Sequence, residues 1–397
     1  MTMKRRDFLR RAGALAAWTA FPGTMFGGAR IAFAAVDTPQ RFVFVIQRGA
    51  ADGLNTVVPY ADPAYARLRG ELALDPGTLH KLDGTFGLHP SLVQTAVMYG
   101  QGEALMIHAV ASPYRDRSHF DGQNVLETGG LRPYQIRDGW LNRLVALLPP
   151  TGGHQASVHR DDAIAFAPTV PLALRGRADV TSYAPSSLGQ AQDDLLLRVS
   201  RLYAEDAQLH PLWDSAMQTR HLAGSIGTKQ DPAAIGKMAA GFLVRPDGPR
   251  IAMIETNGWD THTAQNPRLA NTLKSLDTML AALKEGMGAQ WAYTTVVVAT
   301  EFGRTAAVNG TNGTDHGTGS AAMILGGAVK GGRILADWPG LSPQALNEGR
   351  DLRATLALDS LIASAAAETF RLDPRRVNTA LFPQSPSPAM RDGILRS

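Results

Sequence analysis

The chain has 397 residues, with 39 lysines and arginines against 35 aspartates and glutamates and a formal net charge of +4. It contains no cysteine, which excludes disulfides, thiolate metal sites, cysteine nucleophiles and c-type haem attachment. Residues 1–34 hold Lys4, Arg5, Arg6, Arg10, Arg11 and Arg30 against Asp7 alone, so the rest of the chain carries a net charge of about −1 and no electrostatic footprint for nucleic acid.

In chain order, the first segment is "MTMKRRDFLRRAGALAAWTAF", a basic start with Arg5-Arg6 followed by Asp7, Phe8, Leu9 and a modestly apolar, alanine-rich stretch. It resembles a twin-arginine export signal, and Ala32-Phe33-Ala34 is a small-x-small cleavage site that puts the mature start near Ala35. The apolar stretch is too short to span a membrane and is interrupted by Pro22 and Gly23, so no stable span is expected in the mature protein. The resemblance implies the twin-arginine translocase as a partner during export and a periplasmic or extracellular location. Substrates of that route are exported folded, often after acquiring a metal or cofactor.

"RFVFVIQRGAADGLN" then opens on the apolar run Phe42 to Ile46, the pattern of a strand buried on both faces. Comparable runs are "ALMIHAV" (104–110), "RIAMIET" (250–256), "TTVVVAT" (294–300) and "AAMILGG" (321–327). Residues 185–235 read as a helical insertion or cap. "RLANTLKSLDTMLAALKEG" puts Leu269, Leu273, Leu276, Leu280 and Leu283 on one helix face, and "LDSLIASAAAETFRL" is a late helix. Strands alternating with helices predict one α/β domain over 35–397, with a mostly parallel central sheet sandwiched by helices.

Open α/β sheets bind ligands beyond the carboxyl ends of their strands, and polar residues cluster there in this chain. The first strand leads into Asp52 and Asn55. The second leads into "SPYRDRSHFDGQ", with Arg115, Arg117, Ser118 and His119. The third leads into "GWDTHTAQ", where Asp260 and His262 share one face of an extended segment, as two ligands of one cation or as a plain polar loop. Glu301 ends a valine-rich strand, where a carboxylate requires either a metal or a partner such as Arg304. Ser118 is either an N-cap or a nucleophile at a helix N-terminus, and Arg115 and Arg117 either clamp an anion or lie in solvent. "GTDHGTG" supplies Asp315 and His316 between glycines that allow close backbone approach. Oxygen and imidazole donors without sulfur suit a divalent Zn, Mn, Mg or Ca.

Taken in order, "RGAADGLNTVVPY", "SPYRDRSHFDGQ", "DGWLNR", "GWDTH", "EFGRT", "GTDHGTG" and "GGAVKGGRI" resemble a bacterial family of exported proteins catalogued as domain of unknown function 1501, a distant relative of the alkaline phosphatase and sulfatase superfamily. The resemblance covers nearly the whole mature chain. It implies an alkaline phosphatase/sulfatase-like fold, a metal aspartate at Asp52, and a nucleophile at Ser118 or His119 upstream of Thr128-Gly129. It further implies metal ligands at Asp260 and His262, a strand-end pair at Glu301-Phe302, and a last metal histidine at His316. Phe302 cannot bind a metal, so one superfamily ligand is missing.

These residues raise the expectation of a periplasmic metal-dependent hydrolase of phosphate or sulfate esters. Asp260, His262 and His316 would be its ligands, Glu301 and Asp52 would complete or orient the site, and Arg115, Arg117 and Asn55 would contact a small anionic ester or glycan. The alternative is a non-catalytic exported protein with a degenerate site, acting as a binding or assembly partner in the cell envelope. Redox function is disfavoured by the lack of cysteine and of a dinucleotide glycine fingerprint.

Overall fold

Arg41–Gln47 is the centre of the molecule because every side chain in it is buried, and a strand can bury both faces only between two covered layers. The computed structural model of the chain describes residues 39–149, 162–184, 231–385 and 393–396, and scattered positions between 199 and 213. The export signal and cleavage site expected over 1–34 lie outside the described residues, as does most of the 185–235 segment.

The strands are β1 (Arg41–Gln47), β2 (Val57–Val58), β3 (His80–Lys81), β4 (Gly87–Leu88), β5 (Ala104–Ala111) and β6 (Ala163–Phe166). They continue with β7 (Thr181–Ser182), β8 (Ile251–Thr256), β9 (Thr294–Thr300), β10 (Ser320–Leu325), β11 (Arg333–Leu335) and β12 (Leu356–Ala357). The helices used below are α1 (Gly53–Thr56), α2 (Tyr65–Arg69), α3 (Val93–Gly100), α4 (His119–Thr128), α5 (Trp140–Leu147), α6 (Pro232–Leu243), α7 (Gln265–Met287), α8 (Leu358–Phe370) and α9 (Pro374–Leu381). The large sheet runs β11-β5-β10-β9-β1-β8-β6-β7, with β12 also on β5, while β2, β4 and β3 form a small antiparallel sheet.

The five strands read from the sequence are all present, and the sheet is mostly parallel as expected. Within it only β10 runs against its neighbours, β5 and β9. The link from β9 to β10 carries no crossover helix, so the chain returns beside β9 in the opposite direction. Short strands such as β6, four residues long, carried too little pattern to be seen in advance.

Alternation along β1 sends Phe42, Phe44 and Ile46 into one core layer and Val43 and Val45 into the other. The first layer is closed by α5, α8 and α9, with the Trp140 ring edge-on to Phe44 at 5.0 Å between centroids. The second is closed by α6 and α7, and contains all five leucines assigned to the apolar face of α7. The sheet is therefore sandwiched by helices.

Two buried histidines belong to this scaffold. His108 on β5 donates from Nε2 to the Val57 carbonyl (2.8 Å), accepts from the Ala109 N–H (2.7 Å), and packs against the rings of Phe86 and Trp338. Burial pushes its pKa down to about 4, and His89 is lowered to about 4 for the same reason. Unfolded histidines titrate near 6.5, so between about pH 6.5 and 4 the unfolded chain binds the extra protons. This stabilising contribution is complete above pH 6.5 and is lost as pH falls toward 4, at up to about 1.4 kcal/mol per pH unit for each histidine. Urea unfolding at pH 7 and pH 5 should show the loss, and His108→Asn should remove a substantial part of it. An identical pH dependence in the variant would contradict the assignment.

Candidate metal centre

The edge of the sheet where β1, β8 and β9 end is also the edge where the antiparallel β10 begins. Residues after β8 (Asp260, His262), after β9 (Glu301, Arg304) and before β10 (Asp315, His316) are thereby brought to one place. The segment from 303 to 318 folds on itself: Gly303 N–H donates to Thr318 O (2.9 Å), Gly317 N–H to Gly303 O (2.8 Å) and Thr305 N–H to Asp315 O (2.9 Å). It is tied to the 260 loop by Thr314 N–H on Thr261 O (3.2 Å) and by the Thr311 hydroxyl (2.7 Å) and Asn309 amide (3.0 Å) on His262 O. Side chains are excluded at two glycines here. A Cβ on Gly313 would lie 2.1 Å from His262 O, and one on Gly317 would lie 2.4 Å from the Arg304 backbone.

Three imidazoles surround the Asp260 carboxylate. His262 Nε2 lies 3.0 Å and His316 Nε2 3.3 Å from Oδ1, and His119 Nε2 lies 3.4 Å from Oδ2. The two Nε2 atoms of His262 and His316 are 3.0 Å apart. Each ring has its other nitrogen on a group that only accepts: His119 Nδ1 on Glu301 Oε1 (2.8 Å), His262 Nδ1 on Asp315 Oδ1 (3.2 Å) and His316 Nδ1 on the Arg117 carbonyl (2.9 Å). In the neutral tautomers so assigned, Nδ1 carries the proton and Nε2 presents a lone pair. Nε2 atoms and a carboxylate converging in this way are held together by a proton or a cation between them.

The spacings among His262, His316 and Asp260, 3.0 to 3.3 Å, are those of neighbouring ligands on such a cation. Bonds of about 2.0–2.1 Å in a tetrahedral zinc site place neighbouring ligand atoms about 3.3 Å apart. Among the described residues, His119, Asp260 and His316 form a group whose ligand atoms all lie within 4.8 Å of one another, and His262 adjoins it. His119 Nε2 is buried without a hydrogen-bond partner, since 3.4 Å to Asp260 is too long for a good bond. Imidazole-rich sets favour Zn, Fe, Ni or Cu over Mg and Ca, which take oxygen.

Behind the donors lies a layer of fixed polar groups. Glu301, fully buried, also accepts from Gly49 N–H (2.8 Å) and Gln123 Nε2 (3.1 Å). Arg48 donates to Gln123 Oε1 (2.8 Å), which orients that amide. Burial opposes ionisation of Glu301, yet the hydrogen bonds from His119, Gln123 and Gly49 outweigh it and hold the carboxyl below its usual range. The bond to Glu301 in turn raises His119 against the effect of burial. Burial pushes His316 down. Burial also works against the Asp260 charge, but the buried Arg304, donating to Oδ1 at 2.6 Å, prevails and lowers its pKa. Phe302 is the apolar wall, stacked on His119 at 5.1 Å and beside His316 at 5.4 Å.

The structure gives the other expected site residues the following partners. Asp52 caps α1 through Leu54 N–H (3.0 Å), pairs with the buried Arg69 (2.6 Å) and accepts from Gln265, so its oxygens are engaged. Asn55 is fully buried, donating to Leu72 O (2.7 Å) and accepting from the Tyr65 hydroxyl (2.9 Å), which is no place for a substrate contact. Arg117 is committed to Asp351 and Glu348, each at 2.7 Å, and touches the centre through its carbonyl alone. Arg115 turns its Nη1 onto the carbonyls of Ser112 and Tyr114. Glu301 meets His119 rather than Arg304. Ser118 immediately precedes α4 without a side-chain cap and faces Tyr114, its N–H 3.1 Å from the phenol oxygen, while His119, one residue on, reaches the cluster. Gln123, Gln265 and Thr314 carry no signal in the sequence, because ordinary amides and hydroxyls acquire meaning only through their partners.

Glu301→Gln keeps the shape but puts an amide where three donors converge. Metal affinity should fall about tenfold to a hundredfold, the usual range when a group orienting a metal histidine is altered. Stability should fall by about 1–3 kcal/mol, since a buried hydrogen-bond set is left mismatched. Metal content and thermal midpoint on this variant check both, and an unchanged pair of values would show that Glu301 does not set His119.

None of the curated proteins compared matches the chain. Among solved structures it is similar to Ps i-CgsB in complex with k-i-k-neocarrahexaose (11% identity, TM-score 0.42, covering 84% of this chain and 74% of that one). It is also similar to the C-terminal periplasmic domain of EcEptC from Escherichia coli in complex with Zn (10%, 0.38, 74% and 74%). A third is alkaline phosphatase from the Antarctic bacterium TAB5 (12%, 0.33, 73% and 92%). All are remote, and none gives a residue role to this chain. A family model does match over residues 39–382, and the chain belongs to that family, described as "Protein of unknown function (DUF1501)".

Proposed function

We propose that this protein is an exported, metal-dependent hydrolase of phosphate or sulfate esters whose centre is built from His119, Asp260, His262 and His316. The reading rests on one observation: three imidazoles, each with Nδ1 held by an acceptor, direct Nε2 at a single carboxylate. When bound, a divalent cation there would polarise an ester oxygen and lower the pKa of water. The chain's own contribution is placement. Glu301 and Gln123 hold His119, Arg304 holds Asp260, Asp315 holds His262, and the Arg117 carbonyl holds His316. Phe302 keeps one side of the pocket dry. With Arg115 and Arg117 otherwise engaged, the N-terminus of α4, uncapped by the Ser118 side chain, is the remaining feature suited to an anionic group.

Those engaged arginines, with Phe302 in the wall, favour a second reading, in which the cation serves a binding or assembly role in the cell envelope without turnover. Metal-stripped protein reloaded with Zn, Mn or Co, assayed on aryl phosphates and aryl sulfates, separates the two. Turnover that depends on metal and disappears in His316→Ala supports the hydrolase, and stoichiometric metal without turnover supports the second reading. Export is part of the proposal: replacing Arg5 and Arg6 by lysine should leave the protein in the cytoplasm by fractionation, and normal export of that variant would exclude the twin-arginine translocase as its partner.

A further inference from the structure

We infer that the centre takes one divalent cation and not two, and that Arg304 is the resident positive charge that sets this limit. The inference rests on the metal reading above and goes further by fixing the stoichiometry. Arg304 is fully buried, and it spends Nε (3.1 Å) and Nη2 on the hydroxyl and carbonyl of Thr314, both neutral. Among the described residues its one ionised partner is Asp260.

It is held there by a buried chain of hydrogen bonds. Thr314 (2.6 Å) and Thr261 (2.9 Å) donate to Gln265 Oε1, and Gln265 donates from Nε2 to Asp52 (2.5 Å), which is itself neutralised by Arg69. Arg304 therefore has no competing anion among the described residues, and its buried guanidinium is fixed on Asp260 Oδ1 by its bonds to Thr314.

The charges close around that fact. The charged side chains bonded directly to the four donors are Glu301 on His119, Asp315 on His262 and Arg304 on Asp260. With Asp260 itself, three carboxylates and one guanidinium leave two negative charges, and histidines that give their Nε2 lone pairs to a cation are neutral and add none. One divalent cation cancels this sum. A second would place two uncompensated charges in a half-buried pocket, beside a guanidinium fixed by those bonds. Arg117 and Arg350 nearby are balanced by Asp351 and Glu348 and offer no relief.

The test is a calorimetric titration of the metal-stripped full chain with Zn²⁺ and with Co²⁺, checked by the metal retained after desalting. The wild type should take up one equivalent. Arg304→Lys, which keeps the charge, should remain at one, whereas Arg304→Met, with folding verified by circular dichroism, should take up more than one. Asp315→Asn, at an exposed position outside the buried chain, removes one negative charge and should bind one equivalent about tenfold more weakly. Two equivalents on the wild type would overturn the inference and leave the metal reading intact. A folded Arg304→Met variant that stays at one equivalent would also overturn it, and if that variant does not fold, the wild-type and Asp315→Asn titrations decide. No uptake by the wild type would instead remove the metal reading and this inference together.

Discussion

The reversal of β10 is the constraint on which the site depends. Had the chain crossed over and entered the sheet parallel to β9, the residues before β10 would have lain at the opposite edge, far from Asp260. Because it runs antiparallel, the segment between β9 and β10 leaves from the ligand-binding edge and returns to it. His316 and Asp315 therefore face residues that follow β8. The short pairings between 303–305 and 315–318 then fix their positions within that edge. His262 and His316, some 54 positions apart in sequence, come together through strand direction and these pairings.

The central strands and α7 were legible in the sequence because burial on one or two faces leaves a period that survives any tertiary context. Strands of two to four residues leave none, so β6, β7, β11 and β12 emerged only in the structure. The direction of β10 was equally hidden, since an apolar run reads the same in either orientation. At the site, the sequence pointed to the loops that meet at this edge more readily than to the partners of individual side chains. Asp52 and Glu301 both follow buried strands, yet one caps a helix and meets Arg69, while the other orients a histidine. The cap on Leu54 is local, but the charged or imidazole partner of each carboxylate is not, lying 17 residues away for Asp52 and 182 for Glu301. The choice between Ser118 and His119 is a matter of helix phase, which one residue of register decides.

The donors are arranged in two layers with different tasks. The inner layer is half-exposed and would meet the cation. The outer layer, Glu301, Arg304, Gln265, Thr314 and the Arg117 carbonyl, is mostly buried and fixes proton positions and ring orientations. Arg117 supplies its carbonyl from a left-handed backbone conformation (φ 62°), unfavourable for a residue with a Cβ. The paired Asp351 and Glu348 hold its side chain, and with it the turn that aims His316.

The fold of 303–318 onto itself has a consequence for how a cation would be kept. Its backbone hydrogen bonds and its ties to the 260 loop are made between protein groups alone, so the atoms that would coordinate a cation are positioned by the protein itself. In small zinc domains the ion is the core, and chelation unfolds the chain. Here the ion would be a ligand in the ordinary thermodynamic sense, adding about 2.7 kcal/mol at a hundredfold excess over its dissociation constant and nothing when absent. Occupancy would then follow the free metal concentration around the protein, and a chain that had lost its ion would remain competent to reload.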